Sequence, residues 1–304
     1  MGSSLYDDIK QVAQGWRWSR RSLTPRSAEP FQDEPERKEF PTEWARTPAG
    51  KAAREFVHRA IMKPIYFNEV SPTIEGVDNL DLVTGPVIFV SNHSSHLDAG
   101  LIMSSLPKKW RRKTATGAAA DYFFDTWWKS LATGLVYNAF PIDRGGKGQS
   151  IPTARRLLNE GWNLLVFPEG TRTPDGWMQR FRHGTARMCV EYGVPVVPIG
   201  ITGSYAAMPK GSSWPKGGRP PVLVRFGEAV YPDPGETHNE FSRRMTQAVS
   251  QLMDEDRTTW WESLKRASRG ETPPPTGPQG PKWLRVWEGS KSPARRGPKR
   301  AWKR

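Results

Sequence analysis

Pro86-Val87-Ile88-Phe89-Val90-Ser91 runs directly into Asn92-His93-Ser94-Ser95-His96-Leu97-Asp98, and the junction decides how the rest of the chain is read. The first six residues are an uncharged run of the length and composition of a strand buried on both faces. After it the pattern changes. Ser95 and Asp98 are spaced as a capping box and open an apolar stretch, Leu97 to Leu106, that reads as a helix. A strand handing over to a helix through a short loop is the unit of parallel α/β sheets. Ligands of such sheets bind just past the carboxyl ends of the strands. Two histidines and an aspartate therefore stand where chemistry is expected.

Outward from this unit the same rhythm repeats. Thr47 to Val70 has a helical pattern with Phe56, Ala60, Ile61 and Ile65 on one side. Thr114–Ala119, Leu135–Ile142, Asn163–Phe167, Val194–Ile201 and Val222–Phe226 read as strands. Helices are expected from Pro152 to Glu160, stopped by Gly161, and from Gly184 to Tyr192, stopped by Gly193. A long final helix opens at Thr237, with Glu240 completing its capping box and Phe241, Met245, Ala248, Val249 and Leu252 at helical spacing. The alternation predicts an α/β fold with a mainly parallel central sheet flanked by helices. Residues 1–45 are polar, with prolines at 25, 30, 35 and 41, and read as a weakly ordered segment. The domain is expected over 46–268. Residues 269–304, with Pro273 to Pro275, Trp283, Trp287 and Trp302, read as a disordered basic tail that cannot bury enough apolar surface to fold alone.

Composition narrows the function classes. At 304 residues with 36% apolar and 25% charged residues, the chain can bury a core without staples. A single cysteine, Cys189, excludes a disulfide scaffold and points to a reducing compartment. The start, MGSSLYDDIKQ, does not read as a signal peptide. The longest uncharged stretch, Tyr192 to Pro209, holds three prolines and three glycines and does not read as a spanning helix. The net charge is +14, from 45 basic and 31 acidic residues. Half of it sits in residues 270–304, with nine Lys/Arg against two acids. Basic residues interleaved with tryptophans suit an anionic surface, either lipid headgroups or nucleic acid.

Three clusters carry chemistry. In the first, one imidazole is a general base oriented by Asp98, or His93, His96 and Asp98 bind a metal, or Ser95 and Asp98 simply cap the helix. The cap and the base are compatible with each other. The second, Ile142-Asp143-Arg144-Gly145-Gly146-Lys147-Gly148, ends a strand in glycines and cations and suits a phosphate, without the spacing of a nucleotide P-loop. The third, Phe167-Pro168-Glu169-Gly170-Thr171-Arg172, again follows a strand. There Glu169 suits a substrate hydroxyl and Arg172 a phosphate, or the two form an ordinary ion pair. Val194-Pro195-Val196-Val197-Pro198 reads as a buried strand.

Taken in order, His93-Ser94-Ser95-His96-Leu97-Asp98, Ile142-Asp143-Arg144, Phe167 to Arg172 and Val194 to Pro198 resemble the four blocks of the glycerolipid acyltransferases. The likeness is to the 1-acylglycerol-3-phosphate (lysophosphatidic acid) acyltransferase family and covers about Gly85 to Gly227. The second block departs from it, with Asn138 and Pro141 where the family often has Gly and Phe. The resemblance implies that His93, the first residue of the HX4D motif, takes a proton from the acceptor hydroxyl and that Asp98 orients it. It implies a phosphate contact at Arg144, an acceptor-binding block at Glu169, Gly170, Thr171 and Arg172, and a channel wall at Pro198. His96 falls between the fixed positions and takes no role.

A thioester is already activated, so the implied chemistry requires deprotonation and alignment and no acyl-enzyme, which fits the absence of a GxSxG elbow. Cys189, in an apolar helix, reads as a buried hydrophobe. The resemblance implies no cofactor. It implies acyl-CoA or acyl-carrier protein as donor, 1-acyl-glycerol-3-phosphate as acceptor, with another lysophospholipid or a specialised hydroxylated acceptor as the variant, and a role in phospholipid biosynthesis. Peripheral attachment to the cytoplasmic face of an anionic membrane is expected, through the helix around Phe56 to Phe67, the Trp127-Trp128 pair and the basic ends. No specific nucleic acid is expected. Binding of nucleic acid through the +14 charge and metal-dependent hydrolysis through His93 and His96 are the competing readings.

Overall fold

The strand-like runs come together in one sheet. The computed structural model describes residues 42–119, 127–142 and 151–291. Its strands are β1 Ser71–Glu75, β2 Ile88–Ser91, β3 Thr114–Ala119, β4 Phe140–Ile142, β5 Asn163–Val166, β6 Val196–Thr202 and β7 Pro221–Phe226. They lie in the order β1-β7-β6-β2-β5-β3-β4. All neighbours are parallel except β6 and β7. The mainly parallel α/β architecture is the expected one.

Helices fill the connections. They are α1 Pro48–Val57, α2 Lys63–Glu69, α3 Leu97–Ser105, α4 Lys108–Arg111, α5 Trp127–Tyr137, α6 Ile151–Asn159, α7 Gly184–Tyr192, α8 Ser204–Ala207, α9 His238–Arg257, α10 Trp260–Arg269 and α11 Lys282–Gly289. Local signals hold where they are strongest. Gly193 takes the left-handed conformation that ends α7, and Thr237 with Glu240 forms a complete capping box on α9. β2 is buried on both faces: Phe89 joins the core built with Leu101, Ile102 and Trp110, while Ile88 and Val90 join the one built with Leu164, Phe241 and Met245.

Four departures from the sequence reading have physical causes. The apolar run from Leu135 is not a strand until Phe140, because its first residues finish α5. An apolar run of that length suits either period. The break is Asn138, with φ 49°, which donates from Nδ2 to the Thr114 carbonyl at 3.1 Å. Asparagine is, after glycine, the residue that best tolerates this region. The second departure is a π-helical turn, His58–Met62, between α1 and α2.

The third is that the buried side of this helical segment is built from polar residues. Phe56, Ile61 and Ile65 are exposed, while Arg54, His58 and Tyr66 are buried. Each of these buried polar side chains finds a partner, though His58 Nδ1 has none among the described residues. Arg54 donates to the Ala45 carbonyl at 2.7 Å, His58 Nε2 meets the Val136 carbonyl, and the Tyr66 and Tyr137 hydroxyls meet at 2.9 Å. The fourth concerns the basic tail. Residues 270–291 do not stand apart from the domain: α11 docks on the loop after β5, with Arg285 on Asp175 and the Trp177 indole on the Arg285 carbonyl. The tail cannot fold alone, but the domain supplies the missing half of the contacts. Residues 292–304 and 1–41 lie outside the described part, and Thr42 to Arg46 already belong to the domain, with Ala45 buried.

Candidate active site

The first and third blocks meet because β2 and β5 are neighbours and both run toward the same edge. β2 also pairs with β6, so the chain leaves its carboxyl end at the point where connections part to opposite sides of the sheet, the usual ligand crevice of such folds.

The loop after β2 is fixed by three sets of bonds. Asn92 is buried and exchanges both amide groups with the backbone of Ile201, at 2.8 and 2.9 Å. Asp98, fully buried on the first turn of α3, accepts on one oxygen from the amides of Ser94 and Ser95, at 2.6 and 2.8 Å, and meets His93 Nδ1 at 3.0 Å. The expected capping box does not form: the residue before α3 is His96, without a side-chain cap, and Ser95 donates its hydroxyl to the Met208 carbonyl at 2.8 Å. A carboxylate facing Nδ1 assigns the proton to that nitrogen and leaves the lone pair on Nε2. Finally, the His93 ring stacks on Phe167, with centroids 4.1 Å apart.

The third block grips the backbone of the first. Glu169 accepts from the His93 amide at 2.6 Å on one oxygen and from the Gln179 amide at 2.7 Å on the other. Thr173 donates its amide to the His93 carbonyl at 2.9 Å. Glu169 is buried, and burial pushes its carboxyl up to about 8 against the lowering effect of the two amides. The side chain the sequence pointed to as an acceptor contact has both oxygens engaged by backbone. Gly170, with φ 74°, sits against the Arg182 guanidinium, where a side chain would collide.

His93 opens onto a cavity of about 560 Å3. Its lining includes the polar or charged His93, His96, Thr171, Arg172, Lys210 and Glu69 and the apolar Met62, Ile65, Leu97, Ala118 and Ile142. The structure therefore brings His93, Asp98, Glu169, Gly170, Thr171 and Arg172 together, four of them on the cavity wall. Pro198 lies buried in β6 and packs against Gly227, off the cavity. Arg144 and the rest of the second cluster after Ile142, and the side chains of Trp127 and Trp128, lie outside the described residues. Sequence reasoning missed Asn92, the Tyr66–Tyr137 pair and the rim residues Lys210 and Trp214. Of these only Asn92, inside the quoted motif, left a signal. Cys189 is fully buried away from the cavity lining, and burial pushes its thiol up.

His96, on the cavity wall, is held down to about 4, first by burial and then by the charge of Arg172. Its ring is neutral at pH 7. Because the folded state binds the proton less tightly than the unfolded chain (ordinary value 6.5), stability from this site is present above 6.5 and lost as pH falls toward 4. His96→Gln is expected to flatten that acid limb. Urea midpoints measured from pH 7 to 4 check it, and a limb unchanged from the parent would count against the assignment.

Comparisons with known proteins agree on this region. The model of the acyltransferase family matches residues 70–202. A chloroplastic 1-acyl-sn-glycerol-3-phosphate acyltransferase of Arabidopsis thaliana is 34% identical over 142 residues, which is 46% of this chain and 38% of that protein. A 1-acyl-sn-glycerol-3-phosphate acyltransferase of Chlamydomonas reinhardtii is 36% identical over 46% of this chain and 41% of its own length. The chain thus matches about two-fifths of the length of these relatives. The crystal structure of the 1-acyl-sn-glycerophosphate acyltransferase PlsC from Thermotoga maritima superposes with a TM-score of 0.50 at 25% identity, covering 66% of this chain and 82% of that one. The segment matched by the family model carries β2, the His93–Asp98 pair and the Glu169 loop, and over it the chain is similar to the acyltransferase family.

Proposed function

We propose that this protein is an O-acyltransferase that moves a fatty acyl group from acyl-CoA or acyl-carrier protein to the free hydroxyl of 1-acyl-glycerol-3-phosphate, giving phosphatidic acid. The observation that carries the reading is the His93 Nδ1–Asp98 contact of 3.0 Å at the wall of a cavity lined by the cations Arg172 and Lys210 and by many apolar side chains. Such a cavity suits a substrate with a phosphate head and a hydrocarbon tail. Nε2 of His93 takes the hydroxyl proton as the oxygen attacks the thioester carbonyl. The C–O bond forms, the C–S bond breaks and the thiolate leaves with that proton. Arg172 contacts the phosphate, and Gly170 and Thr171 line its seat. The step uses no metal or redox cofactor.

Peripheral membrane attachment accompanies this activity. Among the described residues no helix is long and apolar enough to cross a membrane. Phe56 is 67% exposed, Ile61 45% and Ile65 39%, on a helical segment from which Met62, Ile65 and Tyr66 line the cavity. Exposed apolar side chains beside the site suit an interface where both lipids reside, with the cytoplasmic face as the expected location.

The test is transfer by purified protein onto a panel of lysophospholipids, with acyl-CoA against acyl-carrier protein, read by mass spectrometry. Phosphatidic acid from lysophosphatidic acid is the expected product. Arg172→Ala is expected to raise the acceptor KM by about 10-fold or more with a smaller change in kcat, as loss of a charge-assisted contact would. No product from lysophosphatidic acid with either donor would overturn the acceptor assignment, and product from another lysophospholipid alone would replace it.

A further inference from the structure

The segment after α10 clasps the outer side of the loop whose inner side touches His93. Arg285 on α11 places Nε and Nη2 on one oxygen of Asp175, at 2.8 and 2.7 Å, and donates to the carbonyls of Pro278 and Thr276, each at 2.9 Å. Trp177 donates Nε1 to the Arg285 carbonyl at 2.9 Å, and Met178 donates its amide to the Pro275 carbonyl at 3.1 Å. The fit is close enough that glycine is required on the strap. A Cβ at Gly277 would overlap the Trp177 ring, and one at Gly289 the Asp175 carbonyl. The other Asp175 oxygen accepts from the Thr173 hydroxyl at 2.9 Å. Thr173 in turn holds the His93 carbonyl, and Gln179, next to Met178, holds Glu169. Arg172 is the residue between this clasp and the cavity.

We propose that residues 274–291 form a strap that sets the position of the Arg172 loop, and that Arg285 is a positioning residue for acceptor binding. The strap lies outside the segment matched by the acyltransferase family model. The inference rests on the reading of Arg172 as an acceptor contact, and its logic is mechanical. The loop is held from within by bonds to the His93 backbone, and those bonds alone leave the Asp175–Met178 stretch without its outer partners. A guanidinium that joins one carboxylate to two carbonyls of its own segment closes the strap on the loop.

Full-length Arg285→Ala and the near-isosteric Asp175→Asn test it, with Arg285→Lys as the conservative variant. In both main variants the Thr173 and Gln179 amides are expected to exchange hydrogen about tenfold faster than in the parent, and the KM for lysophosphatidic acid to rise by about tenfold while the KM for the acyl thioester changes less than twofold. Arg285→Lys, which keeps the charge but loses the fork, is expected to fall between. A merely structural contact would lower the unfolding midpoint and the active fraction and leave both KM values alone. If either Arg285→Ala or Asp175→Asn fails to fold, the other is read by the same criteria. Parental exchange at those amides, or a parental acceptor KM, overturns the strap. Should the parent protein transfer nothing to lysophosphatidic acid, the proposed function fails, and the exchange measurement alone still decides whether the strap holds the loop.

Discussion

Alanine at position 93 is expected to lower kcat for acyl transfer by about 10³-fold while the protein stays folded, in line with the loss of a general base. The geometry separates the two effects. The imidazole contributes one hydrogen bond and one stacked contact, to Asp98 and Phe167. Its removal does not strand the buried carboxylate, because Asp98 keeps the amides of Ser94 and Ser95. The backbone of residue 93 also keeps its bonds to Glu169 and Thr173, which do not involve the side chain. Circular dichroism and the urea midpoint are therefore expected to stay near those of the parent, with acceptor KM little changed. A folded His93→Ala protein with near-parental turnover would remove the base from the mechanism. Asp98 is the poorer test of the same idea, since its carboxylate holds the amides of Ser94 and Ser95 and braces the ring at once, and any substitution there mixes folding with catalysis.

The parts of this molecule that sequence reveals are those that one segment determines by itself. The β2–α3 unit, the glycine that ends α7 and the capping box of α9 depend on neighbours three or four residues away, and they stand where the residues put them. The pairing of His93 with Asp98 is of this kind, because only five positions separate them. What the sequence withholds depends on distant partners. The apolar stripe of Phe56, Ile61 and Ile65 has ordinary helical spacing, and nothing in that spacing says that Arg54, His58 and Tyr66 are the buried side. That is decided by carbonyls and a hydroxyl supplied by residues 45, 136 and 137. Arg285 is one charge among many in a basic tail until Asp175 is found opposite it. Leu135 to Tyr137 read equally well as strand or helix, and the left-handed Asn138 settles the matter.

Glu169 shows the same limit at the centre of the site, and it makes the second strong prediction. Beside Arg172 it reads as an acceptor contact or an ion pair. In the fold its two oxygens take the amides of His93 and Gln179, at 2.6 and 2.7 Å, in a buried position. Glutamine is nearly the same shape but offers one acceptor and one donor. Whichever way it turns, an N–H group faces another N–H group. A buried amide left unpaired costs roughly 1–3 kcal/mol. The backbone that carries the His93 ring must then move to relieve it, and misplacement of a reacting group by about 1 Å costs on the order of 10²-fold in rate. Glu169→Gln is thus expected to lose about 10²-fold in kcat together with a lower urea midpoint. A residue that only touched the acceptor would instead raise the acceptor KM and leave the midpoint alone. The pH dependence gives a third sign. With the carboxyl raised from 4.5 to about 8 by burial, the folded state holds its proton more tightly than the unfolded chain. The stability this group contributes is complete below 4.5 and is lost as pH rises toward 8. The difference in unfolding free energy between parent and Glu169→Gln should therefore shrink from pH 4.5 to 8, because glutamine does not titrate. A variant with parental kcat and a pH-independent difference would show that the carboxylate does not bracket His93.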